Sequence, residues 1–252
     1  MRQAQESAII RLSMHIREGK DFRTFPTVSG EVGIVPHKFM FEGEDIALLQ
    51  ADQIICGTNA ERNRLNQRIR ELQGRGPEPE IGDKIIGLDN HWSIVSTEGN
   101  ALTNGTIGTI QTYTRELQTY STGNRMVGKL PPTELMFTDF TTEDGDSFTS
   151  IPIDYQCIIT GEPSLTPKQE ALLANYCKRL AMGGLSRAYK KYVPFHFNYG
   201  YAITCWKAQG SEFPLVLGYE AAWLKRQNPE EYKKYLYTLC TRAQNTILLV
   251  GD

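Results

Sequence analysis

The stretches YAITCWKAQGSEF (201–213) and YLYTLCTRAQNTILLVGD (235–252) decide how this chain folds. Tyr201 to Thr204 and Leu215 to Gly218 are short apolar runs around a polar segment, Trp206 to Gln209, read as helical. A helical pattern over Pro229 to Ala243 leads into a last apolar strand, Thr246 to Val250. Working outward, Gln53 to Gly57 (QIICG) reads as a buried strand. Thr58 and Glu61 then form the capping box T-x-x-E, and Leu65, Ile69 and Leu72 share a helical face. Strand, polar turn and helix make the half-unit from which parallel α/β sheets are wound.

The rest of the chain sorts itself around that grammar. MRQAQESAIIRLSMHIREGK opens the sequence as an amphipathic helix, with Ile9, Ile10, Leu12, Met14 and Ile16 on its apolar face and Gly19 as its stop. A short helix is expected over Glu44 to Leu49. GRGPEPEIGD (74–83) marks a crossing into a β-rich stretch with runs at Lys84 to Leu88, Trp92 to Ser96, Thr106 to Thr112 and Glu134 to Phe137. The turn signals are Asp89-Asn90, Asn104-Gly105 and Asp144-Gly145. Thr166-Pro167-Lys168-Gln169 starts a further helix running to about Met182. The expected architecture is α/β: a parallel sheet with helices on both faces, split into residues 1–75 and 191–252, with a small β-barrel-like module and a helical return inserted at 76–190.

Composition narrows the function. With 252 residues, 27 Lys and Arg against 29 Asp and Glu, and a net charge of −2, no global positive field draws in nucleic acid, so a polyanion site has to be local. No apolar run approaches the roughly 18 residues of a membrane span. Five widely spaced cysteines without a C-x-x-C pair suggest reduced thiols in the cytoplasm and argue against structural zinc.

Two segments offer chemistry. After the strand ending at Thr204, Gly210 would admit a ligand close to the backbone, and Ser211 and Glu212 could bond a ribose or water; the bland alternative makes Gly210 a helix C-cap, Glu212 a solvated charge and Trp206 a core residue. Arg242, just before the last strand, suits a phosphate because its planar fork is always charged, or else it makes a helix-end salt bridge. Thr58 is read as a helix cap.

These residues carry a resemblance. YAITCWKAQGSEF is similar to motif V, and YTLCTRAQNTILLVGD to motif VI, of superfamily one DNA helicases of the RecD, Dda and Pif1 type; MRQ (1–3) resembles the end of their motif IV. The resemblance implies the second RecA-like domain of a helicase with a UvrD-type C-terminal domain and an inserted SH3-like module. It implies ATP with Mg²⁺ as cofactors of the complete enzyme, single-stranded DNA as partner and 5′-to-3′ movement. Arg242 and Arg2 take the positions that reach the γ-phosphate, and Gly210, Glu212 and Gln3 lie at nucleotide positions. Thr204, Gln209, Trp206, Thr58 and Asn59 fall where relatives meet the DNA. Trp206 departs from the histidine of the usual motif V, exchanging a hydrogen bond for a flat stacking surface. No G-x-x-x-x-G-K-[ST] is present: Gly19-Lys20 and Gly128-Lys129 are followed by Asp21 and Leu130. The chain alone is therefore expected to be inert toward ATP, an N-terminal RecA-like domain of the same polypeptide being its missing partner. A stand-alone binding module for single-stranded nucleic acid or protein is the alternative.

Overall fold

A computed structural model of the chain describes residues 7–36, 45–120, 130–182 and 193–251. In chain order the elements are α1 (Ala8–Arg17), a 3₁₀ turn (Phe22–Thr24), β1 (Val32–Val35), a helical stretch at 45–50, β2 (Gln53–Cys56), α2 (Asn59–Leu72), β3 (Lys84–Gly87), β4 (His91–Val95) and β5 (Ala101–Leu102). There follow β6 (Ile107–Gln118), β7 (Thr133–Thr141), β8 (Ser147–Asp154), α3 (Tyr155–Thr160), α4 (Pro167–Met182), β9 (Phe197–Tyr199), β10 (Ala202–Thr204), β11 (Phe213–Tyr219), α5 (Ala222–Gln227), α6 (Pro229–Cys240) and β12 (Ala243–Val250). The chain divides into two compact units, residues 1–74 with 201–252 and residues 75–200.

The first unit is a five-stranded sheet in the order β1-β12-β11-β2-β10, with every pairing parallel. Its central strands have both faces covered, which is why QIIC and the end of β11 are buried at every residue instead of alternating, with Gln53 the one polar side chain among them. One face packs on α2, where Ile54, Cys56, Leu217 and Tyr219 meet Leu65 and Ile69. Gly218, one residue out of phase, turns to the opposite face, where a Cβ would collide with Leu239 of α6. Its missing side chain lets α6 sit close to the sheet, and α1 packs against α6 in turn. Helices thus cover both faces, and each fully buried Leu or Ile contributes about 1.5–3 kcal/mol.

Two start signals behave as their chemistry demands. Thr58 Oγ1 accepts from the Glu61 amide at 3.1 Å, which satisfies one donor that α2 leaves open, while Glu61 Oε2 accepts from the Gly57 amide at 3.3 Å just ahead of the cap. In the second unit, Thr166 caps α4, its own amide donating back to Gln169 Oε1 at 2.9 Å. That unit holds an antiparallel sheet in the order β8-β7-β6-β3-β9 and a two-stranded ribbon, β4 with β5. Its core centres on Phe140, stacked on Phe148 at 5.0 Å and meeting Phe197 edge-on at 5.5 Å. The Asp144-Gly145 turn joins β7 to β8, with Gly145 at φ 91°.

Several expectations are corrected. Trp206 to Gln209 is not a helix but a succession of hydrogen-bonded turns. The Thr204 carbonyl accepts from the amides of Lys207 and Ala208, and Gly210 at φ 91° then leaves helical space. Arg242 is not helical either, because α6 ends at Cys240 and Thr241 caps it. On α1, Ile10 and Met14 are exposed, while Ala8, Ile9, Leu12, Ser13 and Ile16 form the buried face. Residues 197–199, expected in the α/β part, pair antiparallel with β3 in the second unit. Strand β8 and helix α5 had no counterpart in the sequence reading. Arg2 and Gln3 lie outside the described residues.

Candidate functional site

The site grows from the ends of three strands. β10 is an edge strand, and its backbone is held on the α2 side by a side chain acting as a substitute neighbour. Asn66 donates to the Ala202 carbonyl at 3.0 Å and accepts from the Ala202 amide at 2.8 Å. Beyond Thr204, at the C-terminal end of its strand, the chain runs through the turns to Phe213, which starts the central strand β11 at the opposite end of the sheet. Phe213 is in register with Ala243, and its amide donates to the Arg242 carbonyl at 2.8 Å. Glu212 and Arg242 therefore stand side by side as the residues preceding two neighbouring strands.

Arg242 is half-buried and braced. Nη1 donates to the Ser211 carbonyl at 2.9 Å, Nε to the Thr238 carbonyl at 3.2 Å, and Nη2 to Thr241 Oγ1 at 3.2 Å. A weaker contact reaches the Ala208 carbonyl at 3.5 Å. Every partner is neutral, and among the described residues no carboxylate pairs with it. The guanidinium is thus fixed in place with its charge uncompensated. Nearby Cys205 feels that charge: burial pushes its thiol up to about 12, and Arg242 pulls in the opposite direction. The salt-bridge alternative for Arg242 finds no acid here.

Gly210 has nothing within 4 Å of where a Cβ would lie, so its positive φ rather than crowding is what requires glycine. The next residue, Ser211, presents its carbonyl to Arg242. Glu212 is exposed, as are Gln209 and Asn59.

Trp206 and Gln209 open onto a cleft of about 580 Å³ that also involves Arg17, Lys234, Tyr235 and Thr238. Trp206 is 52% exposed, so it is no core residue. Its ring lies 6.1 Å from that of Tyr235, whose hydroxyl is occupied by the Tyr219 carbonyl at 2.6 Å. Thr238 lines this cleft with one part and holds Arg242 with its carbonyl, so one turn of α6 touches both places.

The structure thus brings Arg242, Gly210 and Glu212 together at the end of the sheet where β11 and β12 begin. Thr204 is buried at the other end, aligned with Cys56, and Thr58 lies just beyond with its hydroxyl engaged as a cap. Sequence reasoning missed Asn66, Tyr235 and Thr238. A buried Asn in a helix otherwise rich in charge was a signal for the first, whereas the other two carry only helical periodicity.

No curated protein matches the sequence. Solved structures similar to this chain include Pif1 helicase from Candida albicans, 15% identical over 97% of this chain and 52% of that one, with a TM-score of 0.45. Pif1 from Bacteroides, solved with ADP-AlF3 and ssDNA, is 12% identical over 96% of this chain and 49% of that one, with a TM-score of 0.42. The chain spans about half the length of these helicases. Residues 199–250, the stretch that builds the site around Arg242, match the UvrD-like helicase C-terminal domain.

Proposed function

We propose that this chain is the second, RecA-like motor domain of an ATP-dependent helicase that moves 5′-to-3′ along single-stranded DNA. The observation that carries the reading is Arg242, a guanidinium held rigidly by neutral carbonyls with no acid among the described residues to satisfy it. Such a group fits a triphosphate, because its planar fork is already positioned and its charge is available. These 252 residues contain no G-x-x-x-x-G-K-[ST], so a separate P-loop domain has to cradle the β- and γ-phosphates and the Mg²⁺. Bound between the domains, ATP supplies the phosphoryl group that is transferred to water.

This chain's part is positional and electrostatic. Arg242, together with Arg2, meets the γ-phosphate and stabilises the charge that develops as it leaves, a contribution of roughly 10³ to 10⁵ in rate for arginine fingers. Gly210, Glu212 and Gln3 face the nucleotide. Because Arg242 grips Ser211 and Thr238, displacement of the arginine is felt in the turn that carries Gln209 and Trp206. Trp206 offers a base its flat, half-exposed ring, with Thr204, Gln209 and Asn59 along the strand, while Thr58 keeps its hydroxyl as the cap of α2. A charge pattern supports a polyanion partner: residues 171–195 contain Lys178, Arg179, Arg187, Lys190 and Lys191 and no Asp or Glu. The SH3-like character proposed for the β-rich unit gives the strand a second support.

The test is ATP turnover and DNA binding by the purified chain. It is expected to bind single-stranded DNA with an affinity that falls as salt rises, and to hydrolyse no ATP with or without DNA. Robust DNA-stimulated turnover by these 252 residues alone would overturn the division of labour, and absence of DNA binding at low salt would overturn the motor reading.

A further inference from the structure

The second unit contains a histidine between two carboxylates that the motor reading does not use. His196 precedes β9 and is pinned by its backbone, its carbonyl accepting from the Leu88 amide at 2.9 Å. Its Nδ1 lies 2.6 Å from Asp89 Oδ2 in the connection between β3 and β4. Its Nε2 lies 2.8 Å from Glu170 Oε1 in the first turn of α4, a charge contact out of line with the ring N–H. The histidine side chain is only 16% exposed.

A neutral imidazole has one N–H, and its other nitrogen carries a lone pair. With an anionic oxygen within 3 Å of both nitrogens, one of the two contacts is repulsive unless the ring is an imidazolium. The geometry therefore calls for the protonated form. We propose that His196 is a protonated clasp, joining Asp89 to Glu170 and so fastening the first turn of α4 to the β3–β4 connection, and that loss of its proton releases that turn.

The electrostatic surroundings agree. Burial works against the His196 proton, but the Asp89 hydrogen bond and the charges of Glu170, Asp89 and Asp154 outweigh it, and the ring is held above its ordinary value. Burial raises Glu170, with His196 pulling it back. The other titratable group facing the cluster is His91, stacked on Phe195 at 3.7 Å and lowered by burial, with His196 adding to that lowering.

The clasp has a position as well as a charge. Glu170 and His196 bracket residues 171–195, the basic stretch without an acid. Deprotonation thus loosens the base of the segment that carries the concentrated positive charge. This consequence for DNA rests on the proposed function; the clasp itself does not.

A group raised on folding contributes stability that is complete below its unfolded value of about 6.5 and is lost as pH rises through the folded value. His91 has the opposite sign, its neutral burial costing stability as pH falls below about 6.5. The difference between wild type and His196→Gln retains His91 and its burial and removes only the part of its lowering that His196 supplies, so it reports chiefly the clasp.

The test is an NMR titration of the His196 ring in the full chain, combined with melting temperatures of wild type and His196→Gln from pH 5.5 to 9. The ring is expected to titrate above about 6.5. The melting-temperature advantage of wild type, about 2–4 °C for a chain of this size, is expected to be largest near pH 6 and to vanish by pH 9. Amide protection at residues 168–173, corrected for the intrinsic base-catalysed rise of exchange, should fall over the same interval in wild type. Should His196→Gln not fold, Glu170→Gln and Asp89→Asn are each expected to lower the His196 midpoint. Titration at or below about 6.5, or midpoints unmoved by both carboxylate variants, would overturn the clasp. Reduced DNA affinity above the midpoint extends it to the motor; unchanged affinity confines it to stability and leaves the clasp standing.

Discussion

Two arginines at opposite ends of one parallel sheet are handled in opposite ways. Arg23 sits at the end where β11 finishes: Nη2 is 2.5 Å from Glu220 Oε2, Nη1 is 2.9 Å from Asp21 Oδ1, and the guanidinium lies 4.5 Å over the Phe22 ring. Glu220, with its side chain 4% exposed, also accepts from the Tyr232 hydroxyl. Arg242 sits at the end where β12 begins and meets only carbonyls and a hydroxyl. The first arginine's charge is consumed by the fold. The second is positioned by the fold and left available, which separates a structural cation from one kept for a ligand.

The largest effect expected from breaking this contrast is on catalysis. In the proposed helicase, with this chain joined to a P-loop domain, Arg242→Ala should lower kcat by 10³-fold or more, about 4 kcal/mol, with nucleotide affinity little changed. Steady-state kinetics with a separate nucleotide-binding assay checks this, and equal losses of affinity and turnover would mark Arg242 as a ground-state contact. Arg23→Ala should do the reverse. It strands the Glu220 carboxylate, so denaturant unfolding should show a loss of about 2–3 kcal/mol, discounted because Arg23 is partly exposed, while turnover per folded molecule stays the same.

The cleft and the opposite end sharpen the comparison at smaller scale. Trp206→Ala should weaken single-stranded DNA binding by about 1–3 kcal/mol in a fluorescence titration, with unfolding shifted by less than about 0.5 kcal/mol since the ring is half-exposed. A loss of stability without a loss of affinity would make the ring a packing residue. Thr58→Ala should cost about 1 kcal/mol of stability through the lost cap and leave DNA affinity unchanged. An affinity loss beyond that of a destabilised fold would restore Thr58 to the strand.

How far the sequence could be read depended on whether the signal was local. The caps at Thr58 and Thr166 were legible because a hydroxyl, a spacing of three and a Glu or Gln define the interaction within four residues. The strands QIIC and TILLV were legible because a parallel sheet buries both faces. Trp206 to Gln209 read as helix from its pattern, although Lys207 to Glu212 also read as a polar turn after a strand, and the structure has the turns, with Gly210 left-handed at their end. SFTSIPID escaped because Pro152 argues against a strand; β8 tolerates it as the outer strand of its sheet. In the site, Arg242 was legible as a residue, but its lack of an acid was not. That depends on Ser211 and Thr238 arriving from separate segments with only carbonyls to offer. Asn66 and the His196 clasp are likewise products of long-range packing, with partners 136 and 107 residues away.

The most direct measurement is the affinity of the assembled helicase for ADP with aluminium fluoride, a mimic of the transferring phosphoryl group, compared with its affinity for ATP, in wild type and Arg242→Ala. If the braced, unpaired guanidinium acts on the departing phosphate, the variant should lose the tight grip on the mimic while retaining ATP. Equal affinities of the variant and wild type for the mimic would contradict the account.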